Sequence, residues 1–369
     1  PEEAQKKYQS SVMTLSLCTF FAVTVLISLF LGPISRGLRL SPFFIFLILF
    51  QSIGTFGINF MNTKLTYEMQ AGKNLILSVG TSLATLVLSL VLVLLLPQGL
   101  KHYGRIVGIA LVYGVLGLIM CLSVLRRGRT FYAPGYWKFC VPLAIPLVFY
   151  NLADLLLGHS DVIMLRQLLD QSTSGVYNYG YQLGTILFTL FNALNNSWVA
   201  FFYADFKQGK TQDVQRQSRN FLELFTVLSA GFLLLCREVY MLYARQDFWA
   251  ATSLVPLFAA SHYLTFLGTF PANYEYYHKK MKMGAAATIV SCLVNIGLNL
   301  VLIPKMGIAG AAVATVLAHG LQFAMHYVYT RFFLGGRDYI FRVRLWGPYA
   351  LAFVAVLGLT YGLAGLPLL

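Results

Sequence analysis

The side chains in this chain whose types and spacing could do chemistry are a few amides, phenols and carboxylates set inside long apolar stretches. Between residues 138 and 157, Asn151 and Asp154 lie three apart, on one face if the stretch is a helix. Between 175 and 201 come Tyr177, Tyr181, Gln182, Asn192, Asn195, Asn196 and Trp198. Asn192, Asn195 and Asn196 share a face by their i, i+3, i+4 spacing. Such groups offer hydrogen bonds rather than a nucleophile. In hydrocarbon they bond to a neighbouring helix, for about 0.6 to 2 kcal/mol per contact, or they line a polar cavity that meets sugar hydroxyls. Both readings stay open. Asp154 is either an interfacial carboxylate reaching toward headgroup water or a group facing a watery path. Glu223, one turn into the stretch at 220–236, reads as a residue near the membrane surface.

Two further groups read as packing. Asn295 and Asn299 stack one turn apart beside Gly297. Thr315, His319, Gln322 and His326 follow a helical stripe on a backbone rich in Gly and Ala, where small residues permit close helix approach. His319 is the histidine there to weigh as a proton carrier. Asp161 and Asp170 read as loop carboxylates that nothing brings together. The chain holds no Gly-rich phosphate loop, no His-Glu metal spacing and no nucleophile elbow. Cys18, Cys121, Cys140, Cys236 and Cys292 form no close pair and no metal-ligand spacing, and read as small apolar fillers. The residues point to a non-enzymatic protein with no resident cofactor.

The elements that must position these groups are eleven apolar stretches: 11–31, 42–61, 74–96, 106–125, 138–157, 175–201, 220–236, 250–270, 283–303, 306–329 and 346–366. About 20 apolar residues at a rise of about 1.5 Å each cross a bilayer core, and inside it each backbone N–H and C=O must be paired within the protein. The stretches are therefore expected to be helices of a polytopic membrane protein. Composition agrees, with 58% hydrophobic residues, 11% charged and a mean hydropathy of +0.69. The longest polar gap, Tyr203 to Asn220, has no room for a soluble domain. Pro304-Lys305 reads as a tight turn joining two stretches into a hairpin. Pro142 and Pro146 remove N–H donors on one face of the fifth stretch and invite a kink.

A net charge of +14 raises the question of nucleic acid. The positions of the charges answer it. Gaps on the side of the N-terminus hold 19 Lys and Arg, and those on the other side hold 8. The positive-inside rule then puts Pro1 in the cytoplasm and Leu369 outside. The surplus is an orientation signal and a match for anionic lipid headgroups. The chain opens with Pro-Glu-Glu-Ala-Gln-Lys-Lys, without an initiating Met or a secretory signal, and reads as an internal start. Three echoes at offsets of 206 to 212 mark an internal repeat: Glu3–Ser10 with Asp213–Asn220, Asn62–Gly72 with Asn273–Gly284, and Leu96-Pro97 with Ile303-Pro304. A repeat over an even number of helices gives two lobes related by an axis along the membrane normal.

Val141-Pro142-Leu143, Asp161, Met164-Leu165 and Gly175-Val176-Tyr177 resemble the start of the second lobe in polysaccharide exporters of the Wzx type. These are lipid-linked oligosaccharide flippases of the multidrug/oligosaccharidyl-lipid/polysaccharide superfamily. Asn295 through Pro304, continuing from Gly307 to Thr315, is similar to that family's penultimate hairpin. The resemblance implies an all-α membrane bundle of two six-helix lobes around a central cavity, with the first two helices absent. It divides the chain into a partial first lobe at 1–125, a cytoplasmic linker at 126–136, a second lobe at 137–330 and an extra C-terminal helix at 331–369. The implied activity moves an oligosaccharide on a polyprenyl pyrophosphate from the cytoplasmic to the periplasmic leaflet of a bacterial inner membrane. Surface polysaccharide such as O-antigen would be the end product. Asn151, Asp154, Tyr177, Tyr181, Asn192 and Asn195 would be cavity residues of the second lobe, and Arg166 and Arg237 would receive phosphate. The family analogy also implies coupling to an H⁺ or Na⁺ gradient, and a polysaccharide polymerase and chain-length regulator as partners. A drug/cation antiporter of the same fold is the nearest rival. A membrane-embedded glycosyltransferase or polymerase, and a scaffold without transport, are rivals from other classes.

Overall fold

The computed structural model describes residues 2–38, 40–68, 70–336 and 339–363. Twelve α-helices run along them: α1 Glu2–Leu29, α2 Leu31–Leu38, α3 Pro42–Tyr67, α4 Ala71–Leu95, α5 Lys101–Gly128, α6 Pro134–Leu168, α7 Gln171–Lys207, α8 Thr211–Tyr243, α9 Val255–Tyr277, α10 Met281–Met306, α11 Ile308–Val328 and α12 Val343–Leu363. No strand occurs among the described residues. Each expected stretch falls on a helix. The positions of Pro1 and Leu369, and the part of the last stretch beyond Leu363, lie outside the described residues. Among the described residues, nine helical segments are long and apolar enough to cross a membrane. The molecule is a multi-pass membrane protein. Large apolar side chains are accordingly left facing outward, as with Leu94 at 76% and Ile76 at 74% exposed on α4. Lipid, not protein, covers such surfaces.

The other two expected stretches, 138–157 and 175–201, lie within α6 and α7. Both are long, at 35 and 37 residues, and both carry amides inside an apolar stretch. At about 1.5 Å per residue each extends to more than 50 Å, well past a hydrocarbon core of about 30 Å. α6 runs as a continuous helix through Pro142 and Pro146.

The chain divides into two compact units, at 1–145 and 146–369. In the first, α5 packs against α1, α3 and α4. The packing rests on glycine faces. A Cβ on Gly117 would collide with Gly54 O, one on Gly57 with Gly117 O, and one on Gly104 with Val93 N at 2.8 Å. Backbones meet where side chains would otherwise stand, which is how helices associate where no water drives them together. At the start of α6, Trp137 Nε1 donates to Ser11 O at 3.1 Å, and Tyr8 OH and Cys140 Sγ lie 3.0 Å apart, fixing that end to α1.

In the second unit, α7, α8 and α9 enclose an aromatic core. Phe225 and Phe266 lie 4.3 Å apart, and Trp198 meets Phe270 at 4.9 Å. The buried Tyr339 and Phe341 close one end of this core. α12 docks on α8 and α9, where Tyr263 and Phe353 stack 4.0 Å apart. α10 and α11 do form a hairpin, but the turn is not at Pro304-Lys305. Both residues lie inside α10, and the chain reverses at Gly307, whose φ of +59 is open to glycine and strained for other residues. Gly310 then lets α11 approach so closely that a Cβ there would lie 2.6 Å from Leu302 C.

Candidate functional site

The site is built on α6, α7, α10 and α11 of the second unit. Asp161 lies in α6, 1% exposed. Its Oδ2 accepts hydrogen bonds from Tyr177 OH on α7 at 2.5 Å and from Thr315 Oγ1 on α11 at 2.7 Å. The neighbouring Ser160 Oγ lies 3.4 Å from Asp161 Oδ1 and donates to Asn295 Oδ1 on α10 at 2.8 Å. Asn299 Nδ2 donates to the same Asn295 oxygen at 3.1 Å. One carboxylate thus gathers four helices through hydroxyls and amides.

The cluster is not closed on itself. Asn299 Oδ1, Asn295 Nδ2 and Ser291 Oγ are buried without a hydrogen-bond partner. Leaving a buried polar group unsatisfied costs about 1 to 3 kcal/mol each. The described residues offer Asp161 no cationic side chain. An uncompensated anion at this depth is expensive and calls for a proton or a bound cation. Asp161, Thr315, Asn295 and Asn299 supply oxygen donors only, the kind that hard cations take. A single carboxylate balances a monovalent ion. Among the described residues no group of three or more His, Cys, Asp or Glu could hold a metal ion, so the donor set does not suit zinc or a redox metal.

The residues singled out from the sequence distribute as follows. Tyr177 is buried and belongs to the Asp161 cluster. Tyr181, one turn on, is half-buried and stands edge-on to Phe258 at 5.3 Å, with the rings of His262 at 5.8 Å and His159 at 6.4 Å. Asn151 and Asp154 are exposed on α6. With Asp161 they follow i, i+3, i+10, so all three fall on one face of that helix. Asn192 and Asn195 are half-buried on α7, and Asn195 Oδ1 accepts from Thr269 Oγ1 on α9 at 2.8 Å. Arg166 is exposed at the end of α6, and Arg237 is half-buried on α8. Glu223 is exposed on α8.

Tyr181, Phe188, Asn192 and Asn195 form a second stripe, along α7, at i, i+7, i+11 and i+14. Where α9 packs near it, His262 is buried, with Nε2 unpartnered and its ring stacked on Phe188 at 5.2 Å. Its neighbour across the helix pair is Gly184, where a Cβ would meet His262 Nε2 at 3.7 Å.

Asp161 and Asp170 are separated in role as well as in place. Asp161 is buried inside a helix, not in a loop. Asp170 is the N-cap of α7, accepting from Thr173 N at 2.9 Å and Thr173 Oγ1 at 2.6 Å. Those bonds hold its carboxyl below the usual carboxylate range. The sequence held one usable signal for Asp161. If α6 is continued past residue 157, Asp161 falls on the face of Asn151 and Asp154.

With this geometry in place, the chain can be set beside known proteins. The pattern of a family described as "Polysaccharide biosynthesis protein" matches residues 1–201. No curated protein matches the chain. Among solved structures, one described as "Lipid II flippase MurJ, inward closed conformation" superposes with a TM-score of 0.59 at 14% identity, covering 97% of this chain and 84% of that one. At that identity the likeness is one of fold.

Proposed function

We propose, since the chain belongs to the polysaccharide biosynthesis protein family, that it is a flippase carrying an oligosaccharide on a polyprenyl pyrophosphate across a bacterial inner membrane. The Wzx-type resemblance read from residues 141–177 and 295–315 points to the same family. The observation that carries the reading is the pair α6 and α7. These two long helices present Asn151, Asp154, Tyr181, Asn192 and Asn195 along their faces. A large polar head cannot enter hydrocarbon without replacement of its lost hydration. Amides, phenols and a carboxylate on a helix face supply that replacement, while the isoprenoid tail stays in lipid. Arg166 and Arg237 are the cations to receive phosphate.

The Asp161 cluster is the place for a monovalent coupling ion, Na⁺ or H⁺. Binding there would tie α6, α7, α10 and α11 together, and release would loosen them, which gives an ion gradient a mechanical handle on the polar wall. The N-terminal end of the chain would lie in the cytoplasm, and a polymerase and chain-length regulator are the partners that would take up the product.

Cells lacking the protein are expected to accumulate untranslocated lipid-linked oligosaccharide on the cytoplasmic leaflet and to lose surface polysaccharide. Normal surface polysaccharide in such cells, with no paralogue present, overturns the proposal. Asp154→Asn is expected to lower export several-fold at an unchanged protein level, and unchanged export removes Asp154 from the polar wall. A drug/cation antiporter would instead show drug resistance lost on deletion and lipid-linked sugar left in balance.

A further inference from the structure

We propose that Glu275 and His326 form a proton-binding site, separate from the Asp161 cluster, that fastens the ends of α9, α10 and α11. His326 Nδ1 lies 2.8 Å from Glu275 Oε1. Glu275 is 2% exposed and His326 9%. One residue closes the last turn of α9 and the other the last turn of α11. α10 approaches the pair on Gly284, where a Cβ would lie 3.0 Å from Glu275 Oε2 and 3.1 Å from His326 Cε1. Three helix ends therefore meet at one ionisable pair.

The chemistry of such a pair is specific. A carboxylate and an imidazole sharing one proton are neutral together, whether written as an ion pair or as two neutral groups. Adding a proton leaves a buried cation, and removing one leaves a buried anion. Either is costly in a low-dielectric setting. The site holds one proton, and its contact across α9 and α11 depends on that proton.

Two features next to the pair give it something to act on. Immediately after α11 the chain enters a π-helical turn, Tyr329–Leu334, and turns of that kind collect at functional positions. Thr330 Oγ1 ties this turn to His326 O at 2.8 Å and to Tyr339 OH at 3.0 Å. A cavity of about 310 Å³ adjoins the pair, walled by Met283, Ala287, Ala324 and Val328. It gives the end of α11 room to shift when the contact is released. The other ionisable groups close by in the chain on the surrounding elements are Tyr274, Tyr276 and Tyr277 on α9, His278 and Lys279 just after it, Lys280 and Lys282 at the start of α10, Tyr327 on α11, Tyr329 and Arg331 in the π turn, and Tyr339. Arg331 donates to Gly336 O, and Lys282 is exposed.

The test is ¹⁵N-histidine NMR of the purified full chain in lipid nanodiscs, titrated over about pH 4 to 9. The resonance of His326 is the one missing in His326→Gln. In the unaltered chain its shift is expected to hold steady across that range, because gaining or losing a proton leaves a buried charge, and in Glu275→Gln it is expected to move away from that value. Gly284→Ala keeps both groups and presses a methyl against them, so it is expected to move the same shift. It also serves if His326→Gln fails to fold, because the resonance that moves in both Glu275→Gln and Gly284→Ala is then His326. Asp161→Asn is expected to leave the shift in place. A His326 shift that follows pH in the unaltered chain, or that is the same in Glu275→Gln and Gly284→Ala as in the unaltered chain, overturns the proposal. The readout involves no transported substrate, so its failure would leave the flippase reading untouched.

Discussion

On the proposed ion coupling, Asp161→Asn is expected to reduce export by about two orders of magnitude, the upper end of what changing a residue around a bound metal ion costs, while the protein remains folded in the membrane. The asymmetry between activity and stability follows from the site. Asparagine keeps the volume of the side chain and keeps an oxygen for Tyr177 OH and Thr315 Oγ1 to donate to. What it removes is a negative charge that no described cationic side chain neutralises, and an anion of that kind costs stability rather than conferring it. Folding should therefore be unharmed. The discriminating measurement is the melting temperature of purified protein in NaCl against choline chloride at equal ionic strength. A bound ion stabilises the folded state by RT ln(1 + [L]/Kd), about 2.7 kcal/mol at a hundredfold excess over Kd. The unaltered protein is expected to gain that stabilisation from Na⁺ and Asp161→Asn to gain none. A sodium effect of equal size in both proteins would remove the ion from the Asp161 cluster. Thr315→Val, which deletes one hydroxyl donor on the same carboxylate, is expected to give an intermediate loss.

Most of the fold was legible in the sequence because bilayer physics leaves few alternatives. An apolar run of about 20 residues has to be a helix, and the lipid-facing side chains of α4 declare themselves by composition alone. What was not legible was where α6 ends. The apolar run stops near residue 157, but the helix continues to Leu168 and carries Asp161 into the protein. Hydropathy ends where polar groups begin, and it cannot tell a polar group entering water from one entering a cluster of hydroxyls. The same limit explains Asn295 and Asn299. They read as packing residues, and they do tie α10 to α6 through Ser160. They also complete the surroundings of Asp161, because in a membrane protein one amide serves both purposes. Proline is the louder turn signal in the sequence, so Pro304-Lys305 masks the true reversal between α10 and α11. Backbone reversal needs a positive φ, which Gly307 supplies and Pro304 cannot. Glu275 and His326 are 51 positions apart in the chain, and no spacing rule joins them.

Gly117→Leu is expected to take apart the first unit. The atoms in the way are backbone, not the flexible end of a side chain: a Cβ on Gly117 would fall on the carbonyl and Cα of Gly54, and the reciprocal glycine, Gly57, faces Gly117 O in the same manner. Neither helix can rotate the clash away, because α5 also holds α4 through Gly104 and Gly108, and α1 through Gly128. Overpacking a well-filled site costs about 1 to 3 kcal/mol when neighbours can adjust, and here the neighbours are fixed main chain, so the loss should reach or pass the upper figure. Helix association in lipid gains nothing from burying apolar surface, so a larger side chain brings no compensation once α3 and α5 are pushed apart. The measurement is the melting temperature and monodispersity of purified protein, with Gly80→Leu as control. Gly80 lies on the outer face of α4, where an added Cβ meets nothing within 4 Å. Gly117→Leu is expected to aggregate or melt far below the unaltered chain, and Gly80→Leu to match it. Equal behaviour of the two variants would mean that α3 and α5 do not rest on each other's backbones, and the architecture of the first unit would have to be redrawn from that result.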